Sequence, residues 1–178
     1  FVFNDKNELL INGEKTFLRG VNRHQEYPFV GYATSAQADY RDAVKIKSAG
    51  FDYVRLSHYP HSTAFMKAAD ELGLVLLDAI LGWQYYNPTK EFEAHTLKAC
   101  ADLLRRDRNH ASVIAWECSL NESDMPDEFI AALSATVHAE YPGAYSAGWE
   151  LGYDIFVQAR QHRLQHYETP TVPYIVSE

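Results

Sequence analysis

Residues 74–78 read Leu74-Val75-Leu76-Leu77-Asp78, a continuous apolar run that ends in one acid. A strand that faces solvent on one side alternates apolar and polar residues, whereas a strand of a parallel sheet is covered on both faces and is apolar throughout. The run therefore predicts a buried parallel strand. Because parallel strands need long crossovers, usually helices, we expect helices before and after this run.

Strand-like and helix-like segments alternate along the chain around this run. The helical patterns start near Ser35, at Ser62 or Thr63, near Thr89 and at Pro126, and the first two end at Gly50 and Gly73. The seven candidate strands span residues 16–21, 51–56, 74–78, 112–116, 144–149, 153–158 and 173–177. This alternation, with no G-x-G-x-x-G after any strand, predicts the α/β class and favours a (β/α)8 TIM barrel over an open doubly wound sheet.

The first and last segments decide the domain interpretation. Residues 1–13 are predicted to form an N-terminal hairpin that ends in a second turn at Asn12-Gly13. A TIM barrel typically has about 250 residues and eight strands, whereas this chain has 178 residues and seven candidate strands. We therefore interpret residues 1–178 as a single barrel domain that is a fragment or a loop-trimmed form, with the final strand eight missing.

Composition and charge restrict the class of partner. The chain is 47% hydrophobic with a formal net charge of −8, as expected of a folded domain with a sizeable core. The excess of acid argues against a nucleic acid or an anionic membrane as partner and favours a neutral substrate. No apolar run reaches the roughly 20 residues that span a bilayer, and the first residues lack a basic signal-peptide region. The sequence thus gives no prediction of the cellular compartment.

Cys100 and Cys118 are the two cysteines of the sequence. Neither belongs to a C-x-x-C pair, and they stand in different predicted elements, a helix and the end of a strand. We expect both to be free thiols, and in that case they do not indicate a redox compartment.

Polar and aromatic residues gather where the predicted strands end. In a TIM barrel these ends converge on one mouth, which holds the catalytic residues. Two carboxylates stand there far apart in sequence, Glu122 after the run at 112–116 and Glu178 after the run at 173–177. Cleavage of a glycosidic bond requires a pair of this kind. The alternative for Asn121-Glu122 is a solvated loop that leads into a helix.

The other residues of this rim have structural alternatives. His24 and His58 could be hydrogen-bonded structural histidines, and Trp83 and Trp149 could be packing residues or platforms for sugar rings. A barrel metallohydrolase with His24, His58 and Asp78 as metal ligands is a further alternative. We rank it lower because the chain has no H-x-H or H-E-x-x-H pattern.

Five motifs follow one another along nearly the whole chain. They are Arg19-Gly20-Val21-Asn22-Arg23-His24, residues 50–60, residues 106–116, Asn121-Glu122 and Val176-Ser177-Glu178. Together they resemble the barrel domain of glycoside hydrolase family 2, which includes β-galactosidases, β-glucuronidases and β-mannosidases. The sequences of residues 116–122 and 158–163 are most similar to those of β-galactosidases that act on red-algal galactans such as agar oligosaccharides.

The resemblance implies roles for the rim residues. Glu122 would be the general acid/base, Glu178 the nucleophile and Asn121 the ligand of the sugar 2-hydroxyl. The predicted substrate-binding residues are His24, Arg55, His58, Trp83, Asn121, Trp149 and His162. One extra residue between Trp116 and Asn121 makes Glu117 a competitor for the acid role. Asp78-Ala79 replaces the Asp-Glu of many members, which argues against a catalytic magnesium.

The predicted activity is retaining hydrolysis of terminal β-linked hexosides, above all β-galactosides of oligosaccharides, with no cofactor and no metal. A carbohydrate is the predicted partner, and a homo-oligomer or the missing domains of a longer chain are further partners to consider. The alternative from another class is a catalytically inactive barrel fragment or a carbohydrate-binding remnant.

Overall fold

The computed structural model of the chain describes residues 1–158 and 171–177. Within these ranges the helices are α1 Ala36–Ser48, α2 Thr63–Leu72, α3 Lys90–Asp107 and α4 Asp127–Glu140. The strands are β1 Val2–Phe3, β2 Leu9–Ile11, β3 Glu14–Lys15, β4 Gly20–Arg23, β5 Tyr53–Leu56, β6 Val75–Ala79, β7 Val113–Glu117, β8 Ala147–Gly148, β9 Ile155–Gln158 and β10 Tyr174–Val176. One helix follows each strand from β4 to β7, as the alternation predicts. None of the described helices has the length and apolar character needed to cross a membrane.

Side-chain caps define where the first three helices begin. Ser35, Ser62 and Thr89 each accept a hydrogen bond from the backbone N–H three residues further on. Such caps satisfy backbone donors that have no partner inside the helix. Gly73 ends α2 in the left-handed conformation, with φ at 67°, which glycine adopts without a steric penalty. The capping residues are therefore the sequence signals that fix these boundaries.

The N-terminal segment forms a small antiparallel sheet in the order β1-β2-β3. The predicted hairpin is confirmed, and a third strand follows the turn at Asn12-Gly13. Both turn residues have positive φ, 52° and 84°, which is the backbone of a type I′ turn and the reason for the Asn-Gly pair. Strand β3 was not predicted because its two residues, Glu14 and Lys15, are exposed and polar and carry no strand-like apolar pattern.

In the described residues, seven parallel strands follow this sheet, as predicted for a TIM barrel. They form two hydrogen-bonded groups, β4-β5-β6-β7 and β8-β9-β10. A parallel bridge between Trp116 and Ser146 joins the two groups, with the Trp116 N–H donating to the Tyr145 carbonyl at 3.0 Å. At the other side, Asn22 Nδ2 on β4 donates to the Ser177 carbonyl after β10 at 2.6 Å. The first and last strands of the series thus lie next to each other.

The strands carry one apolar layer on each face. The inner layer is enclosed by the strands and includes Tyr53, Leu77, Ile114, Ala147, Ile155 and Val157. The outer layer packs strands against helices and includes Leu56, Phe65, Leu76, Leu104, Trp116 and Leu133. Because successive side chains of a strand point to opposite faces, Leu77 belongs to the inner layer, and Asp78 faces the helices. Burial on both faces explains the unbroken apolar run at residues 74–77.

Cys100 and Cys118 form a disulfide, so the prediction of two free thiols is wrong. Their Cα atoms are 5.4 Å apart although 18 residues separate them in the sequence. The chain between them runs to the end of α3 and returns through β7, which brings the middle of the helix against the carboxyl end of the strand. The bridge ties α3 to the loop that contains Asn121 and Glu122.

Removal of this disulfide should lower the stability of the fold. Replacement of both cysteines by alanine is expected to lower the free energy of unfolding by about 3 kcal/mol, because a closed loop of this length restricts the unfolded chain. Urea unfolding of the wild type and the double variant measures the difference. A thiol assay on unfolded, unreduced protein is the control, and detection of two free thiols would contradict the bridge.

Asp78 is buried against a second acid, Asp107 at the end of α3. Burial raises the pKa of Asp78 well above its ordinary value, and the neighbouring Asp107 charge raises it further. The folded chain therefore holds a proton here at a pH at which the unfolded chain has released it. Stability should consequently fall as the pH rises from about 4, the unfolded pKa of aspartate.

An Asp78→Asn variant should remove this loss of stability. The neutral amide has the same shape, so the variant is expected to be more stable than the wild type at pH 8, with the difference shrinking towards pH 4. Urea unfolding at a series of pH values tests the trend. Asp5→Asn, in an exposed turn, is the matched control. A difference that does not change with pH would refute the raised pKa of Asp78.

Candidate active site

The loops after β5, β6 and β7 are joined by backbone hydrogen bonds. The Gly82 N–H donates to the His58 carbonyl at 3.3 Å, and the Asn121 N–H donates to the Gly82 carbonyl at 3.0 Å. The Gln84 N–H donates in turn to the Asn121 carbonyl at 2.8 Å. These bonds continue the sheet past the strand ends. The predicted rim residues therefore stand on backbone that is itself held in place.

Arg55 on β5 and Glu117 on β7 form a buried ion pair. Arg55 Nε and Nη2 donate to the two carboxylate oxygens of Glu117 at 2.8 and 2.5 Å, and neither side chain is more than 1% exposed. Arg55 Nη2 also donates to Asn121 Oδ1 at 2.8 Å. This contact fixes the Asn121 amide with its oxygen towards the arginine. Glu117 thus serves as the counter-ion of Arg55, a geometry that argues against its competition for the acid role.

His58 and His24 lie next to Asn121. The Asn121 Nδ2 atom is 3.5 Å from His58 Nε2, and the His58 ring centroid is 5.5 Å from that of His24 and 6.3 Å from that of Trp83. Burial and the nearby Arg55 charge lower the pKa of His58 to about 4. His58 is therefore a neutral hydrogen-bonding group at neutral pH.

Glu122 follows Asn121 and is held by Gln84, which is not among the predicted site residues. Gln84 Nε2 donates to Glu122 Oε2 at 2.7 Å. Both residues have positive φ, 55° for Gln84 and 51° for Glu122, which is strained backbone for residues other than glycine. Strain of this kind is concentrated at functional sites. The sequence contained one indication that Gln84 belongs to the site, because Gln84 directly follows the predicted rim residue Trp83.

The structure brings together six of the nine predicted site residues. The six are His24, Arg55, His58, Trp83, Asn121 and Glu122. Trp149 follows β8 on the same rim, and its Nε1 atom is buried without a hydrogen-bond partner among the described residues. The predicted nucleophile Glu178 and the predicted ligand His162 lie outside the described residues. Ser177, just before Glu178, donates through its N–H to the Gln158 carbonyl at 2.8 Å.

Comparison with known proteins identifies the family. Residues 2–142 match the family model for the glycosyl hydrolases family 2 TIM barrel domain. The chain belongs to glycosyl hydrolase family 2. It is 38% identical over 139 residues to a beta-galactosidase of Thermoanaerobacterium thermosulfurigenes, and the aligned region covers 78% of this chain and 19% of that relative. It is 37% identical to a beta-galactosidase of Thermoanaerobacter pseudethanolicus, over 76% of this chain and 18% of that relative.

Solved structures show the same fold for this family 2 chain. A beta-glucuronidase of Parabacteroides merdae superimposes with a TM-score of 0.80 at 21% identity, over 88% of this chain and 21% of that protein. At this identity the likeness shows the fold alone, and it confirms the predicted TIM barrel. The chain spans about a fifth of the length of the curated relatives it matches.

The metal-site alternative does not fit the residues of this family 2 chain. Asp78 faces Asp107 in the outer layer, so it does not meet His24 and His58 at the rim. The neighbouring Ala79 has no side-chain donor atom and offers no ligand. In the ranges 1–158 and 171–177 no three His, Cys, Asp or Glu side chains are close enough to share a metal ion. Within the part of the chain that the structure describes, His24, His58 and Asp78 therefore do not form the ligand set of the metallohydrolase alternative.

A pair of variants separates the structural acid from the candidate catalytic acid. Glu117→Gln should lower the free energy of unfolding by about 3–5 kcal/mol, because it leaves the Arg55 charge buried without its counter-ion. Glu122→Gln should change stability little, since Glu122 is partly exposed. Urea unfolding of both variants measures this contrast. Equal stability of the two variants would show that the Arg55–Glu117 pair does not support the fold.

Proposed function

We propose that this chain carries the catalytic centre of a retaining glycosidase that releases terminal β-linked hexoses, with β-galactosides as its substrates. The observation that carries the proposal is the group of Arg55, Asn121 and Glu122 at the carboxyl ends of β5 and β7 in a family 2 barrel. Glu122 is the proposed acid/base and Glu178 the proposed nucleophile.

The two carboxylates divide the proposed reaction into two steps. In the first, Glu122 gives its proton to the leaving oxygen while Glu178 attacks the anomeric carbon and forms a glycosyl ester. In the second, Glu122 takes a proton from the water that releases the sugar. Ser177, the residue before Glu178 in the sequence, is hydrogen-bonded to strand β9 on one side and to Asn22 of β4 on the other, which supports the proposed role of Glu178.

The contacts around Asn121 support its proposed role as a ligand of the sugar 2-hydroxyl. Arg55 holds the amide oxygen, so the Nδ2 group is left to point towards His58 and the rim. A donor held in this way is preorganised for a hydroxyl that binds more strongly in the transition state. Arg55 therefore acts as a positioning residue in this proposal.

Charge supports a neutral sugar over a uronic acid. The positive charge of Arg55 is already matched by Glu117, and burial keeps His58 neutral at pH 7. A sugar carboxylate would need a cation that remains available to it, and neither of these two described side chains provides one. The two relatives at 38% and 37% identity are both named beta-galactosidase. We therefore place β-galactosides ahead of β-glucuronides and β-mannosides.

An assay with three aryl glycosides tests the activity and the sugar. We expect turnover of an aryl β-galactoside, with aryl β-glucuronide and β-mannoside cleaved more slowly. Circular dichroism establishes that the assayed protein is folded. Absence of turnover by folded protein would reject the enzyme and leave the carbohydrate-binding alternative. Faster cleavage of the glucuronide would reject the proposed sugar.

The proposed acid/base makes a second prediction. Glu122→Gln should slow cleavage of substrates with poor leaving groups by about 100-fold to 10,000-fold, because proton donation contributes that much. Activated aryl glycosides should lose less, since their leaving groups need little protonation. The dependence of kcat on leaving-group pKa is the measurement. If Glu117→Gln gave this pattern and Glu122→Gln did not, the assignment would be wrong.

A further inference from the structure

The loops that follow β6 and β7 run side by side at the rim. A parallel bridge joins Trp83 of the first loop to Asn121 of the second. Two residues further along, the Tyr85 N–H donates to Ser123 Oγ at 2.9 Å. Each loop therefore has one residue between these two contacts, and the two residues lie opposite each other on fixed backbone.

These two residues are Gln84 and Glu122, and both have left-handed backbone, with φ at 55° and 51°. Glycine adopts this conformation readily, whereas residues with longer side chains do so at a cost. The side chains meet in spite of this cost, and Gln84 Nε2 donates to Glu122 Oε2 at 2.7 Å. Unfavourable backbone on both sides of one hydrogen bond points to a function for that contact.

The carboxyl group of an acid/base changes its hydrogen-bonding character during the proposed reaction. In the first step, the proton of Glu122 passes to the leaving oxygen as the bond between that oxygen and the anomeric carbon breaks and Glu178 forms the ester. In the second step, a proton of water passes to Glu122 as the water oxygen bonds to the anomeric carbon and the ester breaks. A partner of Glu122 must therefore suit both a carboxylic acid, which has a proton to donate, and a carboxylate, which only accepts.

The primary amide of Gln84 suits both forms. Its NH2 group donates to a carboxylate, and a half-turn about its last side-chain bond presents the carbonyl oxygen, which accepts from a carboxylic acid. A lysine at this position could only donate, and an ionised glutamate could only accept. Gln84 is exposed, so no core packing opposes the half-turn, and exposed side chains rotate far faster than enzymes turn over.

We propose that Gln84 is a positioning residue that holds Glu122 in one orientation in both of its protonation states. The NH2 group donates to the carboxylate, and after the half-turn the amide carbonyl accepts from the carboxylic acid. This inference rests on the proposed glycosidase function and adds a residue that the proton transfers themselves do not involve. Both steps benefit, because each of them depends on where the Glu122 oxygen lies.

Nuclear magnetic resonance of the folded chain tests the contact without turnover. The side-chain amide signal of Gln84 should change with pH in step with the carboxyl signal of Glu122, and this response should be absent in Glu122→Gln. The amide signal of Gln37, an exposed glutamine on α1, is the control and should not follow Glu122. A Gln84 signal that does not respond when Glu122 titrates would overturn the inference.

Gln84→Met distinguishes an amide that serves both forms from one that only donates, since methionine keeps the length and loses both polar groups. The pH range over which the Glu122 carboxyl signal titrates should move by less than about half a pH unit, because the lost contacts supported both forms. A larger rise would show that the amide serves the carboxylate alone and would overturn the inference.

Kinetics of the same variants test the positioning. In Gln84→Met, cleavage of substrates with poor leaving groups and hydrolysis of the ester should each slow about threefold to tenfold, as expected for the loss of one hydrogen bond. The basic limb of the pH profile of kcat/KM should move to lower pH in Gln84→Lys and to higher pH in Gln84→Glu, because the new charges favour opposite forms of the acid. Gln37→Met is the matched control and should behave as the wild type.

The outcomes separate this inference from the proposed function. If folded wild type cleaves none of the aryl glycosides, the proposed function fails, and the signals of Gln84 and Glu122 still decide whether the amide serves both forms. If it does cleave them, wild-type rates in Gln84→Met would overturn the positioning role. A basic limb that does not move in opposite directions in Gln84→Lys and Gln84→Glu would also overturn it.

Discussion

The buried contact between Arg55 and Glu117 is the constraint on which the candidate site depends. It connects β5 with β7 across the end of β6, and its third member, Asn121, places the amide beside His58. A charge removed from water in this way is tolerated only with a well-placed partner. The pair therefore fixes the relative position of two strand ends, and it does so at the place where the proposed chemistry requires accuracy.

The sequence predicted most of the fold because its signals are local. Ser35, Ser62 and Thr89 begin helices through their own side chains, and the apolar run at residues 74–77 reports burial on both faces. The rim residues could be predicted for a related reason, since parallel strands bring their carboxyl ends together. The order of elements was therefore enough to place Arg55 and Asn121 near each other.

Other features depend on contacts between distant elements, and these escaped the sequence analysis. The disulfide forms because α3 folds back over β7, and nothing in the spacing of Cys100 and Cys118 reports that return. Gln84 meets Glu122 because both residues adopt left-handed backbone, which neither residue type favours. Glu117 was considered as a competitor for the acid role because its ion-pair partner, Arg55, stands 62 residues earlier in the sequence.

The division of the strands into two hydrogen-bonded groups has a consequence for motion. Glu122 follows the four-stranded group, and the strand that leads to Glu178 belongs to the three-stranded group. Asn22 links the two groups at one side through its side chain. Hydrogen exchange in other proteins shows that separate hydrogen-bonded units of one fold can open with different free energies. The distance between the two proposed carboxylates would then report how far the groups move together.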